Sequence, residues 1–514
     1  MVKHRIAAHA GSRGLSLHEI GHAHYRRGDI EAAEAVFRQV LEVEPEWLRA
    51  KLDLGCILQK RRSYAEAEVL LRQVLAEDPD AEYAHNALGL ALWSTERLEE
   101  AETHFREAIR LYPDFYQAQN NLGLLLTVTN NLREAQSAFR RALSIHATSH
   151  EIYSNLGSAL WQSGEVEAAI RAHRQALALK PDFSEAKINL AHPLLAIGEY
   201  TEGWARYESR YDTSAGKRYG TMPPASWPMW NGESLVGKSL LIWPEQGYGD
   251  MLQFCRYAPM LKKLGVQKLS VLCPPALVRL FESLNGVDFV YAANGQGSIP
   301  THDFWCFMMS LPHRLGTTVE TIPAAVPYLH PPASLVSVWH KRLPKKQFQV
   351  GLVWAGDPRP QQPASNAMDR RRSIKAQSLL PILRVPGVSF VSLQKGESAR
   401  RQIVDLPPEL RPFDPMDDVE DFADTAAMIE LLDLVITVDT SMAHLAGALN
   451  KPVWILSRYD ACWRWLRDRA DSPWYPSARL FRQLVPGNWD EVVSRVAQAL
   501  HAPVQRRADS LGIT

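Results

Sequence analysis

Leu431–Arg458, LLDLVITVDTSMAHLAGALNKPVWILSR, is the stretch that decides the fold. Leu434–Val438 is a short apolar, β-branched run of the kind that forms a buried strand. Asp439, Thr440 and Ser441 come next, and Met442–Leu449 then has the spacing of a helix. Asp, Thr and Ser are N-cap residues, because their side-chain oxygens accept from the free N–H groups of a first helical turn. A strand that runs straight into a capped helix offers those N–H groups and the positive end of the helix dipole to an anion. His444 falls in the first turn, within reach of the same ligand, and Lys451-Pro452 stops the helix before a second strand, Val453–Leu456. The plain alternative is an ordinary capped helix in an α/β domain.

The same alternation extends in both directions. Upstream, Phe348–Trp354 and Val388–Leu393 are apolar strands, and Phe422–Leu432 is an apolar helix. Between the two strands, Ala355-Gly356-Asp357-Pro358 opens a long polar loop ending in Asp369-Arg370-Arg371-Arg372-Ser373. Guanidinium groups suit phosphate because they present a bidentate fork of donors. Downstream, Asp460, Cys462-Trp463-Arg464-Trp465 and Ser472-Pro473-Trp474-Tyr475 lead to a last helix, Trp489–Leu500. Further upstream, Ser239–Trp243 is a strand, Glu245-Gln246-Gly247-Tyr248-Gly249-Asp250 a glycine loop, and Met251–Leu264 a helix. This opening is Rossmann-like, but its spacing is not GxGxxG, so it gives no support for a dinucleotide cofactor. Lys268–Cys273, Ala276–Leu284, Phe289–Ala292 and Asp303–Met309 continue the pattern.

The first 210 residues repeat. Gly21, Gly55, Gly89, Gly123 and Gly157 are spaced by 34 residues, and Ala191 keeps the count. Twelve positions after each comes Ala33, Ala67, Ala101, Ala135, Ala169 and then Gly203; four further on comes Phe37, Leu71, Phe105, Phe139, His173 and then Tyr207. Pro45, Pro79, Pro113 and Pro181 close the units. Small residues let two helices of a hairpin approach, and proline ends the second. The period resembles the tetratricopeptide repeat, whose arrays stack into superhelices with a concave surface suited to a peptide or protein. Asn86, Asn120, Asn121, Asn155 and Asn189 lie on first helices. They are suited either to clamping a peptide backbone or to bonding helix to helix within the array. Self-association through the array, giving a homo-oligomer, is a third use. The sixth unit departs from the pattern with Gly203-Trp204 and Tyr207-Glu208-Ser209-Arg210, as expected of a terminal unit that docks onto the next domain.

Composition sets limits. The 514 residues are 46% hydrophobic and 22% charged with zero formal net charge, so no global pull toward nucleic acid or membrane exists. Five scattered cysteines form no CxxC or Cys/His cluster, which predicts neither a metal site nor a disulfide framework and fits a reducing cytoplasm. No window is long and apolar enough for a signal peptide or a membrane span. The expected divisions are an array over 14–211, a linker over 212–235 rich in Pro and Gly and pinned by Trp227 and Trp230, one Rossmann-like half over 236–340 and another over 345–502.

Asp439-Thr440-Ser441, His444-Leu445-Ala446 and Ala448-Leu449 together resemble the D-T-(G/S)-x-x-H-L-x-x-A-L signature of bacterial heptosyltransferase-like glycosyltransferases. Ser441 resembles the tetratricopeptide-linked members, where the lipopolysaccharide enzymes carry glycine. The resemblance implies an α plus α/β chain: a tetratricopeptide superhelix followed by a GT-B catalytic region of two Rossmann-like halves. It implies that Asp439, Thr440, Ser441, His444, Gly356, Arg372 and Ser373 hold a nucleotide-sugar donor. It also implies that Asp250, in the loop with Gln246, Gly247 and Gly249, is the general base for an acceptor hydroxyl; its plain alternative is a helix cap. No metal or cofactor is implied beyond the nucleotide-sugar co-substrate, and inversion is expected by analogy. An array fused to such an enzyme resembles flagellin-modifying enzymes and O-linked GlcNAc transferases. The expected function is therefore transfer of sugar to Ser or Thr of a captured bacterial protein. The alternatives are a heptosyltransferase-like enzyme of glycan synthesis and a non-catalytic scaffold.

Overall fold

The structure is a computed structural model that describes residues 12–212, 226–295, 299–344, 348–361, 363–460 and 462–510. The linker prolines Pro223 and Pro224 and the expected opening of the second half near Lys346 lie outside the described residues. Two compact units divide the chain, Met1–Pro181 and Asp182–Thr514.

The first unit is a tetratricopeptide-type array of helical pairs. They are Ser12–Arg26 with Ile30–Val43, Leu48–Lys60 with Tyr64–Glu77, Glu82–Ser94 with Leu98–Leu111, Tyr116–Val128 with Leu132–Ile145, and His150–Gln162 with Val166–Leu179. The repeating glycine makes room for the large residue sixteen positions later. A Cβ on Gly89 or Gly123 would stand 2.7 Å from the ring of Phe105 or Phe139, and one on Gly157 would stand 2.6 Å from the ring of His173. Those distances are shorter than packed carbon atoms tolerate, so only a bare Cα lets each ring enter the hairpin. Ala33, Ala67, Ala101, Ala135 and Ala169 are fully buried at the matching position of the second helices.

The second unit opens with one more helical pair, Ser184–Ala196 and Tyr200–Tyr207, and a 3₁₀ turn, Glu208–Tyr211. Two parallel sheets come after it. The first contains β1 (Ser239–Trp243), β2 (Lys268–Cys273), β3 (Phe289–Ala292) and β4 (Phe304–Phe307) in the order β3-β2-β1-β4. The second contains β5 (Phe348–Val353), β6 (Val388–Ser392), β7 (Leu434–Val438), β8 (Val453–Ser457) and β9 (Ala478–Arg482) in the order β6-β5-β7-β8-β9. Every residue of β7 and β8 is buried, the reason both read as unbroken apolar runs. In each sheet the chain first builds outward on one side of its opening strand and then crosses to the other side. A crevice therefore opens at the C-terminal ends of β1 and β4, and another at those of β5 and β7.

Four elements differ from the sequence expectation, one of them the last helix, which runs over Trp489–Ser510 and does not end at Leu500. The Met251–Leu264 helix is broken into Tyr248–Phe254, a 3₁₀ turn at Cys255–Tyr257, and Ala258–Lys263, because Pro259 lacks the N–H that would continue the ladder. The Ala276–Leu284 helix is a 3₁₀ turn, Pro275–Leu277, and one short turn of α-helix, Val278–Phe281. The polar stretch before Ser373 is helical over Pro363–Arg372. Proline is tolerated there because the first helical N–H has no partner to lose. At the approach to β1, Trp230 donates its backbone N–H to the carbonyl of Trp305 at 2.8 Å, and Trp305 Nε1 donates to the carbonyl of Trp227 at 3.0 Å.

A buried ion pair ties the last helical pair to the first sheet. The Arg210 and Glu245 side chains are 1% and 0% exposed. Arg210 donates Nε to Glu245 Oε2 at 3.0 Å and Nη2 to Oε1 at 3.1 Å. Ser310 Oγ accepts from Arg210, the backbone N–H of Met309 donates to Glu245, and the hydroxyl of Tyr211 donates to the same carboxylate. The pair thus closes the strand ends of β1 and β4. Removing one member leaves a buried charge without its counter-charge. Arg210→Ala is therefore expected to cost about 3–5 kcal/mol in denaturant unfolding. The double variant Arg210→Met with Glu245→Gln should cost less than Arg210→Ala alone; an equal or larger loss would contradict a charge-pair origin.

Candidate functional site

The crevice at β5 and β7 gathers residues from three segments. After β7, Thr440 is the extended N-cap of the Ser441–Ala448 helix, and its hydroxyl accepts from the N–H of Met442 at 3.3 Å. It also lies 3.1 Å from the hydroxyl of Thr437. After β5, the N–H of Gly356 donates to Ser373 Oγ at 3.1 Å. A Cβ on Gly356 would displace the ends of the Asp369 and Arg372 side chains, which close over it. Arg372 spans the two strand ends, donating Nε to Asp369 Oδ1 at 2.9 Å and Nη1 to the backbone carbonyl of Asp439 at 3.1 Å. Asp369 also accepts from Ser373 Oγ at 3.2 Å. Gly356, Arg372, Ser373, Asp439, Thr440 and Ser441 are thereby neighbours.

His444 has a more enclosed place than its position in a first helical turn indicates. It is 4% exposed, bonded through Nδ1 to the Tyr475 hydroxyl at 3.0 Å, and stacked on Trp465 with ring centres 5.1 Å apart. Burial, with the positive charges of Arg464 and Arg256 adding to it, holds its imidazole well below the usual histidine range. It therefore works as a neutral hydrogen-bonding ring and supplies no positive charge near neutrality. Trp465 also donates Nε1 to Asp439 Oδ1 at 2.9 Å, fixing the aspartate that leads into the helix.

The loop after β1 meets this crevice from the other sheet. Gln246 takes the left-handed backbone conformation, φ 58°, and donates its amide to the Tyr207 hydroxyl at 2.6 Å. Gly247 donates its N–H to Asp250 Oδ2 at 3.0 Å. A Cβ on Gly249 would sit 2.9 Å from His444 Cδ2 and 3.5 Å from the Cα of Ser441. Glycine is thus what lets the helices after β1 and β7 approach at their N-termini. Asp250 Oδ1 pairs with Arg464, and both side chains are mostly buried. Asp250 is accordingly a helix cap through one oxygen and the partner of an arginine through the other. Burial opposes the Arg464 charge, but Asp250 together with Cys462 and Tyr207 outweighs it and keeps the guanidinium proton held above the usual range.

Tyr475 and Asp369 are not marked as site residues by the sequence; Arg464 and Trp465 are pointed to by the Trp463-Arg464-Trp465 run alone. A further basic layer comes from Arg458 and Arg371, which share Asp460 at 2.9 and 3.4 Å. Gln253 is fully buried on the Tyr248–Phe254 helix.

The asparagines of the array bond one another between successive repeats. Asn121 Nδ2 donates to Asn86 Oδ1, and Asn155 Nδ2 to Asn120 Oδ1, each at 2.9 Å. One amide has several donor and acceptor positions, so each keeps capacity for a second partner. Asn189 lies in the second unit, half-buried on the Ser184–Ala196 helix.

Comparison with known proteins identifies the repeats. Residues 18–82, 52–114, 86–150, 120–182 and 154–211 match the tetratricopeptide repeat family, so the N-terminal part of the chain carries these repeats. Such arrays are protein-interaction scaffolds. The chain is 30% identical over 328 residues to protein FlbA of Caulobacter vibrioides, across 60% of this chain and 53% of that protein. It thus spans about half the length of this curated relative. Among solved structures, a thermophilic tetratricopeptide protein of Thermus thermophilus is 21% identical, covering 35% of this chain and 99% of its own, with a TM-score of 0.32. The pilF protein of Pseudomonas aeruginosa is 20% identical, covering 39% and 90%, with a TM-score of 0.34. The parallel α/β architecture is compatible with a Rossmann-like enzyme, and no helix among the described residues is long and apolar enough to cross a membrane.

The enclosed imidazole has a measurable consequence. Its folded pKa lies below the unfolded value near 6.5, so its contribution to stability is present above that pH and declines as pH falls below it. Denaturant titrations between pH 7.5 and 4.5 should show wild type losing stability more steeply than His444→Asn, by up to one proton's share of the slope. Equal slopes would contradict a neutral buried His444.

Proposed function

We propose that this chain is a glycosyltransferase that moves a sugar from a nucleotide-sugar donor to a Ser or Thr hydroxyl of a protein held by the repeat array. What chiefly supports this reading is the meeting of the Gly249-Asp250 loop with Ser441, His444 and Arg464 across one crevice. A would-be base and an anion-suited helix N-terminus then lie side by side. The repeat array supplies the second support, since it is a scaffold for protein partners.

In this reading the donor diphosphate occupies the N-terminus of the Ser441–Ala448 helix, with Thr440, Ser441 and Arg372 around it. His444, neutral, contributes a hydrogen bond rather than charge. The phosphates compete with Asp250 for Arg464, so donor binding frees the carboxylate oxygen that the arginine occupies. The acceptor oxygen attacks the anomeric carbon, its proton passes to Asp250, and the bond from that carbon to the phosphate oxygen breaks. The nucleotide leaves with the electron pair and keeps its negative charge beside Arg372 and the helix dipole. The acceptor is a protein segment, such as one from a bacterial surface protein like flagellin.

A thermal-shift panel of ADP, UDP, GDP and CMP tests this. A ligand present at about 100 times its Kd stabilises the folded state by about 2.7 kcal/mol, a shift of a few degrees. One nucleotide should shift wild type, Arg372→Ala should lose the shift, and Asp250→Asn should keep it. With the matching nucleotide sugar, Asp250→Asn should lower transfer at least about 100-fold. No response of wild type to any nucleotide, or unimpaired transfer by Asp250→Asn, would overturn the proposal.

A further inference from the structure

Among the described residues, one group of metal-type donor atoms stands together, and it lies in the helical unit. His18 and His22 are one turn apart on the Ser12–Arg26 helix, so they share a face. Asp53 faces them from the Leu48–Lys60 helix of the next repeat. His18 Nε2 and His22 Nε2 stand 2.8 and 3.0 Å from the same oxygen, Asp53 Oδ2. The three ligand atoms all lie within 4.8 Å of one another.

Hydrogen bonding alone serves this arrangement poorly. Arg49 Nε also reaches Asp53 Oδ2, at 3.1 Å, so three nitrogens converge on one oxygen. A carboxylate has about four lone-pair sites, two on each oxygen, and three donors on one of them are crowded. Aromatic rings pack against the two imidazoles. Phe37 meets both imidazoles edge-on at 5.4 Å, and the Trp47 ring lies 4.6 Å from that of His18. Arg49, from the same helix as Asp53, is the charged group facing the cluster.

We propose that His18, His22 and Asp53 bind one divalent transition-metal ion of the zinc class, pinning the first helix to the second repeat. Two imidazole nitrogens and one carboxylate oxygen are a donor set suited to zinc, with a water completing the tetrahedron. Donor atoms around a tetrahedral zinc are about 3.3 Å apart, given metal–ligand lengths of about 2.0–2.1 Å. Entry of the ion therefore parts the present donors by a few tenths of an ångström. It also takes over the lone pairs that now face the carboxylate through protons. Arg49 is two-fifths exposed and is free to swing outward when a cation arrives.

The first helix has need of such a pin. From Gly14 onward, Gly14 and Gly21 are its buried residues, while Leu15 and Ile20 are 48% and 47% exposed. By contrast, Leu48–Lys60 buries seven residues and Glu82–Ser94 buries six. A helix with so little apolar contact gains most from a bond that does not depend on burial, because ordering its residues still costs conformational entropy.

The test uses the full chain freed of metal by a chelator and then titrated with zinc chloride, with calorimetry and melting temperature as readouts. Wild type should take up one equivalent more than His18→Ala with His22→Ala, and its melting temperature should rise. Loss of a group that merely orients a ligand costs about 10–100-fold in affinity. His22→Ala and Asp53→Asn should therefore each bind at least about tenfold more weakly. His85→Ala, at the other close histidine pair, should bind as wild type does. Cobalt should give wild type the intense visible absorption of a tetrahedral site. That readout needs no variant and holds even if a substitution impairs folding. Undiminished zinc binding by both His22→Ala and Asp53→Asn, or wild type without the tetrahedral cobalt band, would overturn the proposal.

Discussion

The absence of a side chain at Gly249 is the constraint on which the candidate site depends. The helices after β1 and β7 point their N-termini toward one crevice, and the ring edge of His444 fills the space where a Cβ would be. A larger residue would press on the buried His444 ring, 2.9 Å from where its Cβ would stand. Asp250, the next residue, pairs with Arg464 beside that contact, so the loop after β1 and the N-terminus of Ser441–Ala448 share one crevice. Proximity of this kind is worth several kcal/mol in any reaction that needs two groups at one atom.

Around that contact, charge is arranged in opposed pairs. Asp250 meets Arg464, Asp369 meets Arg372, and Asp460 meets Arg458 and Arg371. Each arginine is half-buried or buried, where a lone charge would be costly. The carboxylates therefore neutralise the guanidinium groups and hold them in place. Under the proposed function, a donor diphosphate would exchange partners with them and meet guanidinium groups that are already oriented. His444 takes no part in this exchange of charge, because burial keeps it neutral.

Much of this architecture is legible in the sequence, for identifiable reasons. The 34-residue period is written in a local steric rule: each glycine makes room for Phe37, Leu71, Phe105, Phe139 or His173 sixteen positions on. Strands β7 and β8 announce themselves because both faces are buried. The helix over Pro363–Arg372 resembles a loop in sequence because it is strongly polar and shows no apolar stripe. Strand β9 carries Arg479 and Arg482 among its apolar residues and so gives no clean run. The pairing of Asp250 with Arg464 is out of reach for a different reason. It depends on the order of strands in two sheets, which no local pattern records. The enclosure of His444 by Trp465 and Tyr475 likewise comes from a segment beyond β8, so a first-turn histidine looks more accessible in sequence than it is in the fold.

The Arg210–Glu245 pair bears on how this architecture can be inherited. Glu245 sits just beyond the end of β1 with its side chain fully enclosed, and its counter-charge comes from the turn after the last helical pair. A gene fragment beginning at β1 would encode a sheet with a buried, uncompensated carboxylate. A piece with that charge answered has to include the Glu208–Tyr211 turn that supplies Arg210, so the α/β region needs the end of the helical pair along with its first strand. Exchange of repeats upstream of that turn leaves the buried pair untouched, because neither of its members comes from them.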